Sequence, residues 1–300
     1  MGVPIEVIIA VVIILFLIFI FSQQGNTNSV INETVANIKE KYDPYSYKGI
    51  KRKMKDLGQN YGIKDYVMQI GGAAIFAFGI SYMYFYNLII SSTYAVIAVC
   101  LVPYFQYLNA KRIYSEFIFE QVQTYCTNTI MEFQTTQSFV KAIEGVYESG
   151  VLEEPVKSDV KIMIDMAYQN GDIIKSVEYM NQRYNYYMVR NMHQLFYQVT
   201  KEGSRDMTDI LENMLNDIDE LVEGVYKDRM DRKTFFTKFL MFGMMLYGLS
   251  IMIQFLIEKP VYRQMASSTF PMLIMHAILI LNTRSIIKGI KFYNEDVGAE

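Results

Sequence analysis

Few side chains in this chain have the type and spacing for covalent chemistry. Two cysteines and two histidines leave almost nothing for a disulfide framework or a zinc site. Cys100 falls inside an apolar block and Cys126 in a helical stretch assigned below to the reducing cytosol, so both read as packing residues. The Gly-x-x-x-x-Gly-Lys-Ser/Thr loop that cradles nucleotide phosphates is absent, which excludes ATP hydrolysis by that route. No dinucleotide fingerprint, His-Glu-x-x-His or Gly-x-Ser-x-Gly elbow occurs either. No catalytic residue, metal ligand or cofactor is assigned.

Polar groups at membrane depth are the next place to look, because an ionisable side chain there is costly and marks a site by default. His276 lies inside an apolar run. A proton relay would need a partner at similar depth, and the other runs offer Gln69, Ser250 and Gln254, so His276 reads as a packed, hydrogen-bonded histidine. Glu6, Lys238 and Arg284 lie near the ends of apolar runs and can snorkel. Gln169-Asn170-Gly171-Asp172 is close to the Gly-x-Gly-Asp of intramembrane proteolysis, but the first glycine is missing and the segment is not membrane-embedded, so it reads as a turn. Ala73, Ala77 and Ser81 form a small-x-x-x-small face suited to close helix packing, within or between subunits. Glu202, Asp206, Asp209, Glu212, Asp217, Asp219, Glu220 and Glu223 form an acidic run relieved only by Lys201 and Arg205. Such a run is either a solvated helix face or a docking surface for a basic partner, with Asp209, Glu212, Asp217 and Glu220 at its centre.

The elements that carry these residues follow from composition. The chain has 300 residues, 52% hydrophobic and 20% charged, with mean hydropathy +0.13. The apolar excess sits in blocks of about 15 to 22 residues, the length that crosses a hydrocarbon core roughly 30 Å thick. A net charge of −3 and a pI of 5.6 exclude a basic nucleic-acid binder. Five spans are expected: Val7–Phe21, about 66–90, 94–108, 235–257 and 270–287, with a link at Asn87–Thr93. The first lacks preceding positive charge and a cleavage site, so it reads as an uncleaved span. Lysine and arginine collect in 23–66, after the third block, before the fourth and after the fifth. The positive-inside rule then puts the N-terminus outside and 23–66, 109–235 and the C-terminus in the cytoplasm. Segment 23–65 reads as a linker followed by a basic amphipathic stretch that either lies on the inner leaflet or only enforces topology.

The full expectation is an all-α, polytopic membrane protein. A span at 1–22 precedes the basic segment 23–65, and a span pair follows at 66–108. A cytoplasmic helical bundle occupies 109–235, a second span pair 236–288, and a cytoplasmic tail 289–300. The bundle holds fourteen Lys and Arg against twenty-one Asp and Glu, a net of −7. Helical stripes recur in it: Ile118, Val122, Tyr125, Thr129 and Phe133; Val156, Val160, Met163, Ile164 and Ala167; and Met207 onward to Val225. Breaks at Thr136–Ser138, Gly150–Pro155, Asn170–Asp172 and Gly203–Ser204 divide it into about six helices. From Asp206 to Ile257 there is no proline, which predicts one continuous or nearly continuous helix, a stiff link from bundle to membrane, with a bend near Gly224 as the alternative.

These patterns resemble the helical cytoplasmic domain of the type II secretion F family, in its Tad/Flp pilus branch. The resemblance rests on the helix Phe117–Thr135 followed by Ser138-Phe-Val-Lys-Ala-Ile-Glu, on Tyr168-Gln-Asn-Gly-Asp-Ile-Ile-Lys-Ser-Val-Glu-Tyr-Met, and on the helix–Gly–helix run from Leu195 to Glu212. The basic Met54–Lys64 element before the first span pair also matches. An upstream span at Val7–Phe21 is a departure. The resemblance implies a non-enzymatic inner-membrane platform that couples a cytoplasmic assembly ATPase to pilin extraction. Its implied partners are that ATPase, a paralogous platform protein and prepilins, in a homo- or hetero-oligomer. A small-solute transporter is disfavoured by the unpaired span layout. A signalling receptor is disfavoured by external loops too short to form a sensor.

Overall fold

The computed structural model describes residues 47–56, 62–170, 173–202 and 207–295. Every regular element among them is a helix. In chain order these are α1 (Tyr47–Asp56), α2 (Ile63–Phe85), α3 (Leu88–Thr136), α4 (Phe139–Ser149), α5 (Val156–Asn170), α6 (Ile173–Arg183), α7 (Tyr187–Glu202), α8 (Met207–Leu256), α9 (Lys259–Ser267) and α10 (Thr269–Tyr293). Four of them, α2, α3, α8 and α10, are long and apolar enough to cross a membrane. The described residues are thus all-helical in their regular structure and have the build of a multi-pass membrane protein. The expected first span, Val7–Phe21, lies outside the described residues, as do Gly171, Asp172 and Gly203–Asp206.

The turn between the first two of these long helices differs from the expected link at Asn87–Thr93. α2 ends where Tyr86 adopts a left-handed conformation (φ 49°) and donates its backbone N–H to Tyr82 O at 2.9 Å. Asn87 then caps α3, its Oδ1 accepting from Ile89 N at 2.9 Å. The polar residues that suggested a loop are helical, their hydroxyls satisfied by their own helix: Ser91 donates to Asn87 O at 2.7 Å, and Thr93 to Ile89 O at 2.9 Å. Only Tyr86 and Asn87 are left between the helices.

The third expected span and the bundle's first expected helix are one element. α3 runs 49 residues from Leu88 through Pro103 to Thr136. It stops at Gln137, left-handed at φ 51°, before the extended Ser138 starts α4. α4 ends on Gly150 at φ 72°, where the absent side chain permits the left-handed cap. α8 is likewise a single helix of 50 residues, with no break at Gly224. One break had no sequence signal: α6 and α7 are separated at Tyr184–Tyr186, a stretch without Gly or Pro.

The chain divides into two compact units. One comprises 112–233 with Glu295, and its core is a single cluster drawn from α3 to α8. Tyr125, Ile130, Phe133, Ile143, Met163, Met180, Met192, Phe196 and Leu211 are fully enclosed there. All five residues of the Ile118–Phe133 stripe are buried. Burial of side chains of this size stabilises by at most about 1.5–3 kcal/mol each. The other unit, the described residues up to Lys111 with 234–294, has a small buried cluster around Tyr84, Phe85, Tyr247, Tyr262, Met275 and Leu279.

Candidate functional site

From Asp209 to Glu223 the acidic run occupies the outward face of α8's first half; Glu202 ends α7 and Asp206 lies outside the described residues. Leu211, Met214 and Ile218 are buried, and Leu221, Val222 and Val225 pack against the same core. Asp209, Glu212, Asp217, Asp219, Glu220 and Glu223 point the other way and are exposed. The helical period forces this, since the acids fall about half a turn from the core positions. None of the six makes an ion pair within 4 Å among the described residues. The structure therefore gathers Asp209, Glu212, Asp217 and Glu220 on one accessible, uncompensated anionic surface.

Inside that unit two polar clusters went unread in the sequence. His193 on α7 is 1% exposed. Asn181 Oδ1 lies 2.7 Å from its Nδ1, and the Tyr125 hydroxyl 2.9 Å from its Nε2. A neutral ring protonated at Nδ1 satisfies both, donating to Asn181 and accepting from Tyr125. Burial pushes its pKa down to about 3. The second cluster surrounds Asp159 in the first turn of α5. This buried carboxylate accepts from the Tyr184 hydroxyl at 2.6 Å, the Tyr179 hydroxyl at 2.7 Å and Arg183 Nε at 3.3 Å. Burial and then the hydrogen bond to Asp159 raise the Tyr184 pKa, and the nearby carboxylate raises that of Arg183. Three donors occupy the carboxylate, so it ties α5 to the α6–α7 corner; that tie explains a break without Gly or Pro.

In the other unit α8 and α10 approach closely at two glycines. A side chain added at Gly243 would come within 2.8 Å of Ile286, and one at Gly289 within 2.7 Å of Phe239. Asn282 Nδ2 donates to Gly243 O at 2.9 Å, and the Tyr247 and Thr283 hydroxyls are 2.6 Å apart. Glycines that admit a neighbour's side chain, plus an amide that bonds across the gap, hold helices together where there is no hydrophobic driving force. Ala73 and Ala77 are half-buried, and the buried Ser81 donates to Ala77 O on its own helix at 2.6 Å. Asn282 and Thr283, polar inside an apolar run, were the available signal for the α8–α10 contact.

His276 has a partner that the sequence reading did not name. Its Nδ1 lies 2.7 Å from the Tyr94 hydroxyl, and its ring stacks on Phe85 with centroids 4.3 Å apart. It is a packed, hydrogen-bonded histidine joining α2, α3 and α10. Gln254 bonds to Tyr86 and Tyr262, both at 3.1 Å, and Tyr262 donates to Tyr84 O at 2.8 Å. Cys100 is exposed and Cys126 buried, and both are free thiols. Among the described residues no group of three or more His, Cys, Asp or Glu is placed to hold a metal ion. No family model, curated protein or solved structure matches the chain.

Proposed function

We propose that this chain is a non-enzymatic platform protein of a bacterial-type inner membrane, coupling a cytoplasmic ATPase to extraction and assembly of pilin subunits in a Tad-type pilus or type II secretion-like machine. The observation that carries the reading is the continuity of two helices. α3 and α8 each hold a stretch apolar enough to cross a membrane and a stretch that supplies bundle core, within one unbroken element. A helix transmits displacement along its axis through its own hydrogen bonds. In this proposal the bundle is cytoplasmic, the acidic face of α8 docks the ATPase, and Ala73, Ala77 and the buried Ser81 form a helix-packing face, within the chain or between subunits. The N-terminus is outside and the C-terminus inside.

Deleting the chain should leave prepilins unassembled in the membrane, and normal pili in its absence would overturn the platform reading. Docking is tested separately. Changing Asp209, Glu212 and Asp217 to lysine should reduce co-purification of the ATPase without lowering the amount of protein in the membrane, because charge complementarity mainly sets association rate and partner choice. Undiminished co-purification would make this face a solvated one. For orientation, Ser158→Cys should resist a membrane-impermeant thiol reagent in intact cells and Gln264→Cys should react, both positions being exposed. The opposite labelling would invert the topology.

A further inference from the structure

The last helix carries a surface that the platform reading does not use. On α10, Met275, Leu279, Asn282 and Gly289 are buried on one face, where Asn282 and Gly289 meet α8 and Met275 meets Tyr262 of α9. On the opposite face, Phe270, Leu273, Ala277, Ile280, Leu281, Arg284, Lys288 and Lys291 follow one another at helical spacing, and all are exposed. The first five are apolar and the last three cationic. The change falls within one turn, between Leu281 and Arg284. Phe270 to Leu281 covers roughly 16 Å of helix axis, and Arg284 to Lys291 roughly a further 10 Å. None of the three cations makes an ion pair among the described residues.

An exposed face that is first hydrocarbon-like and then cationic matches the profile of one bilayer leaflet, from acyl chains to headgroups. The helix dipole accounts for a cation in the last turn, where Lys291 stands, but not for Arg284 and Lys288 further back. Arg284 and Lys288 are one turn apart and Lys291 a further turn on, a spacing that lets several anionic groups be held side by side. We propose that Arg284, Lys288 and Lys291 form a binding site for anionic phospholipid headgroups, with the acyl chains lying along Phe270, Leu273 and Leu281. The site needs only that α10 crosses the membrane, and it holds whether or not the platform reading does.

The test uses the full chain reconstituted in phosphatidylcholine bilayers, with spin-labelled phosphatidylglycerol and spin-labelled phosphatidylcholine as probes. The motionally restricted fraction gives the relative association of each. The wild type should prefer phosphatidylglycerol, and high salt should weaken the preference. Replacing Arg284, Lys288 and Lys291 together by glutamine should lower it several-fold, toward that for phosphatidylcholine. Arg284→Lys combined with Lys288→Arg should retain it. Lys141→Gln with Lys161→Gln, two exposed bundle lysines, should leave it unchanged. A triple-glutamine variant with undiminished preference overturns the proposal. So does one that instead changes the association of copies in neutral lipid, since the face would then be a protein contact.

Discussion

Phe196 and Phe255 are the same residue type, and the two units treat them in opposite ways. Phe196 in the bundle is 1% exposed, with Phe133 4.3 Å and Phe139 5.6 Å from its ring. Phe255, in the apolar half of α8, is 81% exposed, and Leu256 beside it 86%. The histidines repeat the contrast. His193 has both ring nitrogens bonded within the bundle, whereas His276 is half-buried and bonded through Nδ1. The bundle is a water-soluble type of core, held by enclosure. The membrane unit is held by a few close approaches and directed polar bonds, and its apolar surface faces outward, where lipid chains are as apolar as leucine.

The sharpest way to break the comparison is to truncate both phenylalanines. Phe196→Ala should destabilise the bundle by about 3–5 kcal/mol through the cavity it leaves. Phe255→Ala should change stability by less than about 0.5 kcal/mol. Hydrogen exchange of the full chain in nanodiscs reads both, and equal effects would erase the distinction. Next in size is Asp228→Pro, which removes a backbone donor from the interior of α8 at a cost of about 3 kcal/mol. The variant should insert normally yet assemble no pili. Asp228→Ala keeps the backbone donor, loses the half-buried contact with Arg232 at 2.8 Å, and should still assemble pili. Full piliation with the proline would end the role proposed for an unbroken α8.

Gly243→Leu probes the membrane unit's own way of holding together. Its side chain meets Ile286 inside van der Waals distance, so overpacking should cost about 1–3 kcal/mol and speed exchange in α10 while leaving the bundle unchanged. The same substitution at Gly224, where nothing lies within 4 Å, should be neutral or slightly stabilising through helix propensity. Smallest at neutral pH, and growing only on acidification, is a pH dependence confined to the bundle. His193 titrates near 3 when folded and near 6.5 when unfolded, so between these values the unfolded chain binds the extra proton. The histidine's contribution is intact above pH 6.5 and falls by up to about 1.4 kcal/mol per unit as the pH drops toward 3. Bundle stability measured by exchange should follow that slope, and His193→Gln should flatten it. A slope unchanged by the substitution would place its origin elsewhere.

The helical class and four of the long apolar helices were legible because hydropathy and the 3.6-residue period act locally. The breaks at Thr136–Ser138 and Gly150–Pro155 were legible because Gly, Pro and short polar side chains announce them. The corner at Tyr184–Tyr186 was not, since its cause is a contact with Asp159 some 25 residues earlier. The shortness of the turn before α3 was hidden by Ser91 and Thr93, which read as loop until their hydroxyls are seen bonded to the helix. The acidic face was legible as a face, because it is a matter of period. The Gly243–Asn282 contact was not, because it joins residues 39 apart in the chain.

The two-residue turn after α2 bears on how the protein enters the membrane. With only Tyr86 and Asn87 between α2 and α3, and neither of them charged, there is no hydrophilic loop to push through the hydrocarbon. The backbone groups at the tip are already engaged, Tyr86 N–H with Tyr82 O and Ile89 N–H with Asn87 Oδ1. That removes the main penalty for carrying a peptide turn across lipid. The pair can be delivered as one helix–turn–helix unit, with no polar segment to thread between its members.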